Sequence, residues 1–325
     1  MATVIIIATS SNAVTLGKKM NPLTNDPYFT IKLNASGSSY FIELNGASVH
    51  NELDNDGQLS TEFPVNHWMR SGKNTLTLQV IPEEEGAPFN PASSIEVELL
   101  VAPNNNKEQT FSIASILFEG SNASGEHTKN SSKSGSYDDE MKSSTTGSLT
   151  ISDITETAMK DYKGALIFKR ELNIINTLPL WNFFTSDDLP KLEPLSDEEY
   201  YKLLDSLLFE YSKVQNAIET SSIDEIIPLF KERNSELDAA FYYSPGTMEN
   251  KIRTSLIEAS NNQDLELVPL KQQNVDFTIE SNNKLVSLTR ESMAAAVTLN
   301  FKSGYGSQRY NMIFRRKDNE WILAR

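Results

Sequence analysis

The chain has 325 residues, of which 38% are hydrophobic and 22% charged, with 15 Phe, 11 Tyr and 3 Trp. Such aromatic content excludes wholesale disorder, and about 100–200 residues per domain gives two domains or one large one. The net charge of −15 argues against a general nucleic-acid binder, the absence of cysteine excludes disulfides and thiolate chemistry, and no apolar run approaches the roughly 20 residues that cross a bilayer.

Met1–Ala13 (MATVIIIATSSNA) lacks the positive n-region of a secretory signal; no charge precedes Lys18, and the uninterrupted apolar stretch is only Val4–Ala8. Thr3–Thr9 therefore reads as a first strand, because Val and Ile branch at Cβ and suit a pleated surface. With no cysteine to carry a lipid, a cytoplasmic location is expected. Tyr28–Leu33 and Ser39–Leu44 alternate apolar and polar residues at period two. Asn45-Gly46 and Asp56-Gly57 are hairpin dipeptides, and Ser71-Gly72 leads into Asn74–Ile81. Ile95–Val101, Gln109–Phe118, Ser148–Ile154 and Ala165–Ile175 are further strands. The Ser/Gly/Thr-rich stretch Glu119–Gly147 cannot repay its ordering entropy by burial, and is expected to be a mobile insertion between strands of one sandwich.

Asn176–Pro194 carries three prolines together with Trp181, Phe183 and Phe184, too apolar for a free tether; these aromatics are expected to dock one domain against the other. From Ser196 the period becomes helical. Ser196 and Glu199 have capping-box spacing, followed by an apolar stripe of Tyr200, Leu204, Leu207, Leu208, Tyr211 and Ile218. Ser222 and Glu225 repeat the spacing, Pro228 should kink or restart the second helix, and Thr247–Ser260 forms a third. Six strands follow: Leu265–Leu270, Val275–Glu280, Leu285–Arg290, Ala294–Phe301, Tyr310–Arg315 and Trp321–Ala324. The expected architecture is multidomain: an all-β sandwich over 1–178 with its insertion at 119–147, a linker over 179–195, and an α+β domain over 196–325 with helices packed on a curved antiparallel sheet.

The run from Trp68 to Leu76 (W-x-x-S-G-x-N-T-L) resembles one found in bacterial immunoglobulin-like and galactose-binding-like sandwiches, where it leads into a late strand and is structural. Ser196–Arg325 resembles the NTF2-like (cystatin-like) superfamily, and its ending RYNMIFRRK-DN-EWILAR is similar to the closing hairpin of those domains. That resemblance implies Trp321 and Leu323 on the inner face of the sheet. The superfamily spans enzymes and immunity modules, so it implies no single activity.

Glu52–Phe63 resembles a calcium loop at Asp54, Asp56, Gly57 and Leu59, but Glu52 stands first and Phe63 stands where a bidentate Glu is required, so a solvated hairpin is expected. His50 and His67 could face each other as half a metal site, yet His127 is the only further imidazole and lies in the insertion; no metal is expected. Asp276, Glu280, Tyr305 and Tyr310 could furnish a Tyr–carboxylate site, although alternation sets Asp276 opposite Val275, Phe277 and Ile279. Gly304 and Gly306 fit a hairpin turn better than a phosphate loop. No catalytic residues and no cofactor are expected.

Charge is unevenly spread. Residues 178–250 hold 15 acidic and 5 basic side chains (−10), whereas residues 251–325 hold 8 acidic and 11 basic (+3). Asp187, Asp188, Glu193, Asp197, Glu198 and Glu199 cluster at the start of the first helix. Acids there are ordinary complements of a helix dipole, but they also form a surface that steers a basic partner. The expectation is a non-catalytic protein-binding module, of immunity or antitoxin type, that caps a basic toxin or effector domain, with neither nucleic acid nor membrane as partner. The alternatives are a small-molecule site in the C-terminal cone and a carbohydrate- or surface-associated sandwich with Trp68 as the suspect aromatic.

Overall fold

A computed structural model describes residues 26–53, 57–103, 108, 110–120, 149–174, 176–192 and 195–325. The strand expected at Thr3–Thr9 and the Ser-rich insertion beyond Gly120 lie outside these. The chain divides into two compact units, Met1–Leu180 and Trp181–Arg325.

The first unit consists of two antiparallel sheets. One has the order β4-β1-β6-β7, from β1 (Pro27–Ser36), β4 (Gln58–Pro64), β6 (Ser94–Pro103) and β7 (Phe111–Glu119). The other runs β3-β2-β5-β10-β8, with β9 also on β10, from β2 (Ser39–Leu44), β3 (Ala47–Glu52), β5 (Gly72–Ile81), β8 (Leu149–Ile151), β9 (Thr155–Ala158) and β10 (Leu166–Ile174). Alternation decides which side faces inward: Phe29, Ile31 and Leu33 of β1 are fully buried, as are Leu76, Leu78 and Val80 of β5. The two inner faces meet where the rings of Phe118 and Phe168 lie 5.8 Å apart and Arg170 Nη1 donates to the Ser115 carbonyl at 2.7 Å.

Polar side chains hold the ends of this unit. Asn45 and Gly46 take φ of 58° and 74° to turn β2 into β3, as this dipeptide is suited to do. Asn45 Nδ2 then donates to the Trp68 carbonyl and to Asn74 Oδ1. Asn74 Nδ2 in turn donates to the carbonyls of Arg70 and Gly72, so the Trp68–Leu76 run is pinned at the mouth of β5. Trp68 is 4% exposed, which removes it as a sugar-stacking surface. Strands β3, β4 and β9 escaped the sequence reading because their residues are largely polar and half-buried or exposed, so alternation was faint.

The second unit begins with α1 (Asp197–Thr220), the single turn α2 (Ile223–Ile226), α3 (Lys231–Ala240) and α4 (Thr247–Asn261). Seven strands follow: β11 (Leu265–Leu267), β12 (Asp276–Glu280), β13 (Leu285–Thr289), β14 (Val297–Phe301), β15 (Ser307–Tyr310), β16 (Phe314–Lys317) and β17 (Glu320–Leu323). They form two antiparallel sheets, β11-β14-β15 and β12-β13-β16-β17. Leu204, Leu207, Tyr211 and Phe230 from the helical part pack with Val286, Leu288, Val297, Phe314 and Leu323 in one core.

Two expectations are corrected here. Tyr310–Arg315 is not one strand: the chain leaves one sheet at Tyr310 and enters the other at Phe314, because the Met312 carbonyl is taken by a helix side chain and Ile313 pairs with the backbone of Arg325. The second capping box does not form. Ser222 makes no side-chain cap, and its hydroxyl shares a hydrogen bond with Thr220 Oγ1 at 2.7 Å. Pro228 behaves as expected, seating a 3-10 turn over Ile227–Phe230 before the helix restarts at Lys231.

Candidate functional site

Helix α1 is fixed at both its end and its side. Ser196 Oγ accepts from the Glu199 N–H at 3.3 Å, and the Glu199 carboxylate accepts from the Ser196 N–H at 3.0 Å, the reciprocal box its spacing predicts. Burial selects Leu204, Leu207, Tyr211, Val214 and Ile218 as the inward stripe. The Tyr211 hydroxyl donates to the Met312 carbonyl at 2.5 Å and accepts from the Leu288 N–H at 2.9 Å. At about 100° per residue, Glu198, Lys202, Asp205 and Phe209 fall on the opposite side, with Tyr201 beside them. Tyr201 is 49% exposed and Phe209 62%. Lys213 Nζ lies 4.8 Å from the Phe209 ring centroid and pairs with Glu210, and Asp205 accepts from Gln272 Nε2 at 2.8 Å.

The six acids that the sequence groups together have divergent settings. Asp187 and Asp188 face the sheet strands of their own unit: Asp187 accepts from the Asp318 N–H at 2.7 Å and lies 3.4 Å from Lys317 Nζ, while Asp188 pairs with Lys284 at 2.8 Å. The Asp318 N–H, followed by the Lys317 side chain, holds the Asp187 carboxyl below its ordinary range. Glu199 is held low by the Ser196 N–H and hydroxyl. Asp197 and Glu198 are exposed in the first turn of α1. Glu193 lies outside the described residues.

A group of charges that sequence spacing does not reveal lies between α3 and the closing strands. Arg315 donates to both Glu232 oxygens, at 2.6 and 2.7 Å. Arg325 pairs with Glu236, whose other oxygen accepts from the Asn182 N–H at 2.7 Å. The Arg325 guanidinium also lies over Trp181 and Phe183, at 5.8 and 5.0 Å. Residues 181–189 are thus strapped to the unit they precede: Asp187 N–H reaches the Arg316 carbonyl, Leu189 N–H the Asn283 carbonyl, and Lys284 Nζ the Ser186 carbonyl.

The Tyr–carboxylate set does not converge. Tyr305 is 88% exposed at the β14–β15 turn, where Gly304 and Gly306 take positive φ. Tyr310 is buried, and its hydroxyl donates to the Ser255 carbonyl at 2.9 Å. Asp276 is exposed on β12, with Tyr200 Oη 3.4 Å away, while Phe277 and Ile279 pack on the core. His50 stacks on Phe63 at 4.8 Å, and burial lowers its pKa, whereas His67 lies against Trp68 at 4.6 Å. His127, Asp54 and Asp56 lie outside the described residues. Among the described residues no group of three or more His, Cys, Asp or Glu could hold a metal ion, and no helix is long and apolar enough to cross a membrane.

Two clefts stand out among the described residues. One of about 430 Å³ lies on the outward side of the β4-β1-β6-β7 sheet, bordered by Tyr28, Thr30, Lys32, Glu62, Glu98 and Ser112. The other, about 320 Å³, lies between α3 and the start of α4. Neither opens between the helices and the sheets of the second unit, where Tyr211 and Phe314 fill the space with ring centroids 5.2 Å apart. No family model matches the chain, and no curated protein matches it.

Proposed function

We propose that this chain is a non-catalytic protein-binding protein of the immunity or antitoxin type, which neutralises a basic toxin or effector domain by docking it on the outer face of α1. The observation that carries this reading is the pair of exposed aromatics, Tyr201 and Phe209, on the helix side away from the core. Phe209 leaves most of its ring in water beside Lys213, and two neighbouring exposed aromatics among charged side chains are the kind of residue that anchors a docked protein. Glu198, Lys202 and Asp205 flank them, so the face offers apolar contact among exposed charges of both signs. Asp187, Asp188 and Glu199 also make contacts within their own unit, yet Asp188 and Glu199 stay exposed, so the docking surface runs from the start of α1 along its length. Asp197 and Glu198 remain part of it.

We also propose an NTF2-like fold for the second unit and an immunoglobulin-like or galactose-binding-like fold for the first. The former draws support from the helices-then-strands order and from Trp321 and Leu323, which pack against the core as the resemblance implies. A small-molecule site in the cone draws no support from a core filled by aromatic and aliphatic side chains.

The test is direct binding of the purified chain to each basic toxin or effector domain encoded in the same genome. One domain is expected to bind with Kd at or below about 1 μM, more weakly at high salt, because the steering charges are exposed. If none binds at that level, the reading falls.

A further inference from the structure

We infer that the cleft on the outward side of the β4-β1-β6-β7 sheet binds an uncharged saccharide of one or two rings. This site belongs to the first unit alone and does not rest on the docking proposed for α1. Strand register sets its lining out in three rows. Glu62, Lys32 and Glu98 lie abreast on β4, β1 and β6. Two residues along, Thr30, Leu100 and Ser112 lie abreast on β1, β6 and β7. Two further on, Tyr28 stands beside Ala102. At about 3.3 Å per residue the rows span roughly 13 Å. The cleft encloses about 430 Å³, a volume of the order of small-ligand sites. The β6–β7 register shifts between Leu99 and Leu100, within the cleft, and an irregularity of that kind bends a sheet.

The charges in the lining are Lys32, Glu62 and Glu98, and register places the ammonium between the two carboxylates. An anion that reaches Lys32 meets a carboxylate on either side. A cation that reaches either glutamate meets the ammonium. A neutral hydroxyl both donates and accepts, so it suits every member of the row. Lys32 and Glu98 face each other half-buried across β1 and β6 and, among the described residues, form no ion pair with one another. Opposite charges facing across strands stabilise a sheet when they pair; held apart, these two keep their bonding capacity for a ligand. Hydrogen bonds to charged groups are the stronger ones, the carboxylate accepting from a sugar hydroxyl and the ammonium donating to one.

The other two rows supply a different surface. Tyr28, Leu100 and Ala102 form an apolar patch, and Thr30, Thr110 and Ser112 set hydroxyls around it. A sugar ring has that same division, with C–H groups on its face and hydroxyls around its edge. Tyr28 is half-buried at the end away from the charged row, so it offers the cleft an aromatic side chain that Trp68, sealed in the core, cannot. A wholly apolar ligand would instead cover the charged row without bonding it, at a desolvation cost.

The experiment is a titration of the ¹⁵N-labelled full chain with lactose, maltose, cellobiose and N,N′-diacetylchitobiose, and in parallel with sodium glucuronate and spermidine, following the backbone amides of Lys32, Glu98, Leu100 and Ser112. At least one neutral disaccharide is expected to shift these amides saturably, with Kd at or below about 5 mM, and neither charged probe is expected to match it. Tyr28→Ala and Glu98→Ala are each expected to weaken binding about tenfold. Melting is read alongside, and a variant that has lost its fold is replaced by Lys32→Met, with the same weakening expected. Amides unmoved by all four disaccharides, equal shifts with glucuronate or spermidine, or variants that bind as the parent does would overturn the inference. Phe209→Ala, in the other unit, is expected to leave saccharide binding unchanged, so loss of the α1 docking and loss of this site are read separately.

Discussion

A single hydroxyl joins three elements of the second unit. Tyr211 of α1 bonds the Leu288 N–H of β13 and the Met312 carbonyl where the chain passes from one sheet to the other. Its position in the apolar stripe was legible from helical spacing, but its polar partners were not, since they lie 77 and 101 residues away. Tyr211→Phe keeps the ring and leaves a buried N–H without an acceptor. It is expected to destabilise the chain by about 1–3 kcal/mol, read as a lower denaturant midpoint with an unchanged slope. An unaltered midpoint would mean that the hydroxyl is dispensable. The same distance in sequence hid Arg315–Glu232 and Arg325–Glu236, because in sequence these residues read only as surface charges.

At the scale of elements, the lead-in segment 181–189 is a strap, and two of the acids expected to meet a partner, Asp187 and Asp188, also tie it to Lys317 and Lys284. Asp187 has a lowered pKa in the folded chain, so the unfolded chain binds the proton more readily. The resulting stability is present above the ordinary carboxylate range and is lost as pH falls through that range to the lowered value. Asp187→Asn is therefore expected to lower the melting temperature at neutral pH and to flatten its decline as pH falls through and below the ordinary carboxylate range. A variant that melts like the parent at both ends of that range would show that the strap does not depend on this carboxylate. Helix starts were legible when the side chains complete them locally, as Ser196 and Glu199 do. Ser222 misled because its hydroxyl finds Thr220 first. The break between β15 and β16 was hidden because Tyr310, Ile313 and Phe314 are β-forming residues, while the backbone partners of Met312 and Ile313 come from α1 and the last residue of the chain.

Across the whole molecule, a β-rich first unit precedes a unit of helices and antiparallel strands. That order was written in the change from period two to period 3.6 near Ser196. The candidate surface was only half legible. Composition located the negative charge in residues 178–250, but which acids pair within their own unit depended on lysines at 284 and 317 that no local pattern connects to Asp188 and Asp187. Phe209 is exposed on the side opposite the inward stripe, where spacing alone predicts polar residues. A phenylalanine on the polar side of an amphipathic helix is the signal that could have found it. The measurement that bears most directly on the account is the affinity of Phe209→Ala for the basic domain that the parent chain binds, taken by calorimetry alongside its melting temperature. The account predicts affinity reduced at least tenfold with melting unchanged, because the ring is exposed and supports no core contact; undiminished affinity would place the docking surface elsewhere.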